Sequence, residues 1–296
     1  MNSQIVKETA RGLKADLVGI APIDRFASLP AEKNPASIFP ECKSVIVVGK
    51  RVLRGALRGI EEGTNFGSTY GFFGRQVVED NFLAQATYSL TCWIEEQGFE
   101  AVPIFGYGHD ADMSFGIPVA DGKPAPNVII DPEFTAQAAG LAEIGLGGFA
   151  ITPEYGIRQR FAFILTDCEL EADAVREKSI CGDCKACMTM CPLGAYTDSV
   201  SKRGVPGAEC EVVDLDTSFC KICPNGASQL PGRGGTVDRI GAACGRACVV
   251  QLEKAGKCSN SFTSPFRKRK PWALDSLKNT IPSDKIGTGC DGGTVK

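Results

Sequence analysis

The 296-residue sequence has one histidine, His109, which nearly excludes a Cys2His2 zinc site or a multi-histidine iron centre. It has no uninterrupted apolar run of ~18 residues, so no transmembrane helix is expected. It has no excess of positive charge. The formal net charge is −3, so neither a broad basic face for nucleic acid nor a membrane partner is expected. Met1 to Lys14 has charges spaced through it and no apolar signal core, so a cytoplasmic location is expected. With 43% hydrophobic and 23% charged residues, global disorder is excluded as well.

What the chain has in abundance is cysteine. There are 14, nine of them between Cys181 and Cys248. Disulfides suit short secreted chains, whereas local clustering in a chain of this length favours metal or Fe–S ligation. The strongest signal is Cys181-Gly-Asp-Cys184-Lys-Ala-Cys187-Met-Thr-Met-Cys191-Pro192, which is C-x2-C-x2-C-x3-C-P, the bacterial ferredoxin spacing. Three cysteines in a tight loop wrap three irons of one cubane, and the fourth is directed to a second cluster. A zinc knuckle is the competing reading. Cys220-Lys-Ile-Cys223 adds a second C-x2-C, and Cys244 and Cys248 stand at i, i+4, one face of a helix if that segment is helical. Eight ligands make two [4Fe-4S] clusters. The expected sets are Cys181, Cys184, Cys187 and Cys248 for one, and Cys191, Cys220, Cys223 and Cys244 for the other. Cys210 is the alternative to Cys220. Cys42, Cys92, Cys168, Cys258 and Cys290 stand outside and read as small hydrophobes.

The first 175 residues read as an α/β (α+β) domain. A first helix is flanked by Ile5, Leu13 and Leu17, and strands are expected at 15–21, 44–49, 101–105 and 160–166. Pro103 marks an edge strand. Gly63 to Gly74 reads as a loop, Val77 to Gln97 as a helix capped by Gly98, residues 106–127 as a loop and Thr135 to Ile144 as a helix. Residues 176–260 are poor in large apolar side chains, so clusters would supply the core of a bacterial two-[4Fe-4S] ferredoxin-like domain. Residues 261–296 form a C-terminal tail whose last dozen residues are expected to be mobile. Its Arg267-Lys-Arg-Lys270 run reads as a solvated face or as a dock for an acidic donor. Gly145-Leu-Gly147-Gly-Phe-Ala150 matches G-x-G-x-x-A but lacks the strand-then-helix context of a nucleotide site. Its glycines would let backbone approach a flat ligand or a neighbouring element.

From about Ile5 to Cys248 the chain resembles the epoxyqueuosine reductases and the related reductive dehalogenases. The resemblance rests on Gly12-Leu-Lys-Ala-Asp-Leu-Val-Gly-Ile-Ala21, on Ala139-Gly-Leu-Ala-Glu-Ile-Gly145 with Ile151-Thr-Pro-Glu-Tyr-Gly-Ile-Arg158 and Ile164-Leu-Thr-Asp167, and on the ferredoxin motif that follows. It implies an iron–sulfur reductase, with a corrinoid (cobalamin) in the N-terminal domain. Electrons would come from a ferredoxin or flavodoxin, and the substrate would be a small molecule or a nucleoside. The aspartate of the family's Asp-Ser-x-Pro motif falls at Pro126 here, and the family's Gly-Trp-Ile-Gly-Lys appears as Ala142-Glu-Ile-Gly-Leu146. Asp131, Tyr107 and His109 are the candidate acids, and Gly140, Gly145, Gly147 and Tyr70 the candidate cofactor-facing residues. The alternatives are a corrinoid-free electron-transfer protein and a reductase whose cluster meets the substrate directly.

Overall fold

The computed structural model describes residues 1–105, 116–126, 128–229, 237–282 and 286. Tyr107, His109 and Cys290 lie outside the described residues.

The chain opens with helix α1 (Ser3–Gly12), capped by the Asn2 side chain on the Ile5 N–H, and strand β1 (Leu17–Pro22). Strand β2 (Ser44–Arg51), the single turn α2 (Arg58–Glu61), helix α3 (Ala84–Glu96) and strand β3 (Ala101–Phe105) follow. Helix α4 (Pro132–Ala138), the short pair β4 (Glu143–Ile144) and β5 (Ala150–Ile151), and strand β6 (Gln159–Thr166) complete this part. The four long strands form one sheet in the order β1-β2-β6-β3, every neighbour antiparallel. Pro103 lies in the edge strand β3, the position in a sheet where proline is tolerated.

An antiparallel sheet often leaves one face wet, but here both are covered. Val18, Ile20, Ile46, Val48 and Ile164 pack on Val6 and Ala10 of α1 and Leu90 and Ile94 of α3. Val45, Val47, Phe161 and Phe163 pack on Phe134, Ala136 and Ala138 of α4. All eight residues of β6 are therefore buried, including Gln159 and Arg160 at its start.

Two sequence expectations are corrected. Gly63 does make a left-handed turn (φ +71°), but Gly67–Gln76 and Val78–Leu83 are π-helical segments running straight into α3. Gly74 is required there because a Cβ would stand 2.3 Å from the Tyr70 ring. The helix expected from Thr135 to Ile144 begins earlier, with Asp131 capping the Phe134 N–H and Pro132 in its first turn, and ends at Ala138. Gly140 (φ +74°) reverses the chain after it.

The cysteine-rich part contains the single turn α5 (Ala186–Thr189), the hairpin β7 (Tyr196–Arg203) and β8 (Cys210–Leu215), and the short helix α6 (Thr217–Lys221). The pair β9 (Ser228–Gln229) and β10 (Val237–Asp238) and helix α7 (Ala243–Lys254) follow. One hydrophobic cluster joins Val52, Leu57, Ile60 and Tyr70 to Ile180, Cys187, Cys244 and Phe266. The tail is tied down as well: Ala273 packs among Ala186, Met190, Ala243 and Ala247. Arg267 and Arg269 of the basic run are paired with Glu61 and Glu62, both at 2.6 Å, rather than left as a free dock.

Candidate functional site

The eight thiols sort into two groups of four. Cys181, Cys184, Cys187 and Cys248 line one cavity of about 440 Å³. Cys191, Cys220, Cys223 and Cys244 line a second, tighter one of about 20 Å³. Helix α7 contributes one thiol to each, with Cys244 and Cys248 one turn apart. Cys210 lines neither. It is buried between Ile144 and Val212 and accepts from the Gln137 amide at 3.7 Å. Among the described residues, no three His, Cys, Asp or Glu side chains converge on a single ion. The thiols ring spaces rather than points.

The backbone is shaped around these thiols. The fully buried Glu143 carboxylate accepts the N–H groups of Ser179, Ile180 and Cys181 at 2.5–2.7 Å, fixing the start of the cysteine loop. The β4–β5 turn lies against it. The Leu146 N–H reaches Cys181 Sγ at 3.4 Å, and a Cβ on Gly147 would stand 2.5 Å from Cys187 Sγ. In the second group, the Ala195 N–H reaches Cys191 Sγ at 3.3 Å and the Asn225 amide reaches Cys223 Sγ at 3.6 Å. Burial pushes the Cys187 thiol up to about 11 and the Cys244 thiol up to about 12, and Cys248 is raised well above its ordinary value by the same cause. Metal loading of such sites displaces protons.

Of the expected cofactor-facing residues, Gly145 and Gly147 lie against cysteines, in a strand–turn–strand. Gly140 abuts the Ala174 carbonyl, where a Cβ would stand at 2.4 Å. Tyr70 is buried; its hydroxyl donates to Asp238 at 2.7 Å and accepts from Arg160 at 2.8 Å. Phe72 and Phe73 are about half exposed, at 49% and 51%. Gly145 and Gly147 thus line the cavity of the first cysteine group, whereas Gly140, Tyr70, Phe72 and Phe73 line neither cysteine cavity.

A third cavity, of about 110 Å³, opens between α4, β5, the start of β6 and the residues after β10. Glu133, Phe149, Phe161 and Arg239 are in its wall. Sequence reasoning missed Glu133. Its signal was proximity to Asp131, one helical turn start shared by two carboxylates. Asp131 is salt-bridged to Arg203 at 2.8 Å. Burial works to raise Asp131, but Arg203 and the Phe134 N–H outweigh it and hold the carboxyl below its ordinary value. Burial, reinforced by the Asp131 charge, pushes Glu133 up to about 7. The pair thus splits into one ionised carboxylate and one proton-holding acid. Below the cavity, Arg160 is fully buried and pairs with Asp238 at 2.7 Å and Glu79 at 3.4 Å, while its guanidinium also bonds the Gly74 carbonyl.

No protein-family profile matches the chain. A tetrachloroethene reductive dehalogenase of Desulfitobacterium hafniense is 28% identical over 256 residues, covering 74% of this chain and 44% of that protein. The chain is epoxyqueuosine reductase/reductive dehalogenase-like. An epoxyqueuosine reductase of Synechococcus sp. (strain RCC307) is 38% identical over 63 residues, 21% of this chain and 19% of that one. Among solved structures, a catabolic reductive dehalogenase has a TM-score of 0.52 at 16% identity, covering 99% of this chain and 45% of its own. A reductive dehalogenase whose structure is described as suggesting a mechanism for B12-dependent dehalogenation has a TM-score of 0.51 at 17% identity, covering 87% of this chain and 38% of its own. The chain thus spans less than half the length of these longer relatives. Its mixed α and β fold is that of the reductive dehalogenase structures, and its named relatives are reductases.

Proposed function

We propose that this dehalogenase-like chain is a reductase with two [4Fe-4S] clusters, which passes electrons to a small substrate held beside Arg239 and Glu133. The observation that carries the reading is the sorting of eight cysteines into two groups of four around separate cavities. Cys181, Cys184, Cys187 and Cys248 would hold one cluster, and Cys191, Cys220, Cys223 and Cys244 the other, in a ferredoxin-like arrangement over residues 176–260. The donor set and the glycine turn fit such groups, and in the tighter cavity the four thiols must spread on loading. Bound clusters supply low-potential one-electron transfer.

The chain's own residues do the rest. Glu143 fixes the N-terminal edge of the cysteine loop through three N–H bonds. Phe149, Ile157 and Phe161 give the 110 Å³ cavity an apolar wall. For scale, an engineered apolar cavity of about 150 Å³ takes benzene. A small molecule, or the end of a larger one, is the matching substrate. Glu133 holds a proton for the reduced product near neutral pH, and Asp131, kept ionised by Arg203, sustains that proton. Tyr107 and His109 remain further candidates for the same role. A ferredoxin or flavodoxin is the proposed electron donor.

Of the four residues expected to face a corrinoid, Gly140 and Tyr70 are packed within the chain and Gly145 and Gly147 face the first cysteine cavity, so none faces a separate site for that group, and no step is routed through it. The same observation favours a second reading, a corrinoid-free electron-transfer protein. Anaerobic reconstitution with iron and sulfide should give about eight irons per chain. A cobalamin titration followed by visible spectra should show no shift. Four irons or fewer would overturn the two-cluster reading. Stoichiometric cobalamin binding would restore the corrinoid.

A further inference from the structure

Arg239 stands between the two cysteine groups. It lines the cavity of Cys191, Cys220, Cys223 and Cys244. Its guanidinium meanwhile reaches the other way. Nη1 donates to the Gly147 carbonyl at 3.1 Å and to the Tyr196 hydroxyl at 3.0 Å, and Nη2 donates to the Gly148 carbonyl at 3.2 Å. Gly147 is in the wall of the first cavity. The Tyr196 hydroxyl and Cys187 Sγ both press on it, 3.0 and 2.5 Å from where a Cβ would stand. The guanidinium also lies 4.3 Å from the Phe149 ring centroid. Its neighbour Asp238 is locked to the buried Arg160, so the arginine is held from behind.

We propose that Arg239 is a shared electrostatic bridge that raises the reduction potential of both clusters, with Tyr196 relaying its effect to the first. The inference rests on the two-cluster reading. A cluster gains a negative charge on reduction, and two buried clusters of like charge oppose each other's reduction. A fixed cation between them favours the reduced state of each. Arginine suits the place because its fork satisfies three acceptors at once, and a lysine would keep the charge but lose the fork.

The test is potentiometric. Reconstituted full-length chain is poised at set potentials and the reduced fraction of each cluster is read from its EPR signal. A Cys248→Ser chain, keeping only the second group, assigns the signals. Arg239→Gln should leave both clusters at least tenfold less reduced at the wild-type midpoints, a shift of about 59 mV or more for one electron. Arg239→Lys should keep both within about threefold of wild type. Tyr196→Phe should lower the first cluster's potential by more than the second's. Arg269→Gln, on an exposed side chain, is the control and should move neither. Wild-type chain that holds fewer than two clusters overturns the two-cluster reading and the bridge with it. Two clusters with an Arg239→Gln chain that shifts neither, or only one, overturns the bridge alone. If Arg239→Gln does not assemble, the other two variants decide. The bridge stands if Lys preserves both potentials and Tyr196→Phe lowers the first more than the second, and it falls otherwise.

Discussion

Glu133 carries the clearest pH signature of any single side chain here. Its folded-state value, pushed up to about 7, lies above that of an unfolded glutamate. The folded state therefore binds this proton more tightly than the unfolded state does. Stability falls as pH rises from the unfolded value to about 7, and the penalty is complete above that. Glu133→Gln should raise Tm at pH 8 and change it little at pH 4, measured by thermal unfolding. In turnover, activity that needs the acid should decline above pH 7, and the Gln variant should lose that limb with most of its rate. At the proposed ligand positions, Cys248→Ser should reduce iron from about eight to about four per chain, with the second cluster's EPR signal retained. Cysteine spacing made these thiols legible in the sequence. Glu133 was not legible, because nothing local shows that a carboxylate in the first turn of a helix will be half-buried beside Arg203 and Arg239.

Among the elements, the β4–β5 turn and Glu143 carry the most consequence. Glu143→Ala leaves three N–H groups of the cysteine loop without their acceptor, each loss costing about 1–3 kcal/mol where no water replaces it. Urea unfolding of the cluster-free chain should show a lower midpoint. Gly147→Ala should block loading of the first group and spare the second, seen as half the iron, because the added methyl collides with Cys187 Sγ. The long strands could be read from their apolar runs, and their near-continuous hydrophobicity follows from helices on both faces of the sheet. The π-helical stretch could not be read, because Gly63, Gly67, Gly71 and Gly74 look like loop formers. Gly74 instead makes room for the Tyr70 ring and offers its carbonyl to Arg160. Likewise, apolar periodicity through residues 135–144 hid the reversal at Gly140.

Across the whole molecule, ion pairs join the first quarter of the chain to its last. Glu61 takes Arg246 of α7 at 2.7 Å and Arg267 of the tail at 2.6 Å, and the Trp272 indole donates to the Glu61 carbonyl. Removing Glu61 strands a buried guanidinium, so Glu61→Ala should cost about 3–5 kcal/mol in equilibrium unfolding. Sequence texture suggested a break near Val175 and a loose tail. It could not show that one cluster of apolar side chains runs from Val52 to Phe266, since such packing depends on contacts between residues some 200 positions apart.

The tail's position also bears on the order of events during synthesis. The last cysteine lining either cavity, Cys248, emerges from the ribosome before Arg267, Trp272 and Ala273, which dock over α5, α7 and Glu61. Between those two moments the thiols are present, while α5 and α7 lack the apolar contact that Ala273 makes with Ala186, Met190, Ala243 and Ala247. The seat of the two cysteine-bearing helices is therefore completed last, by a segment that follows every cavity thiol in the order of synthesis, so shortening the tail would loosen α5 and α7 without removing a single cavity cysteine.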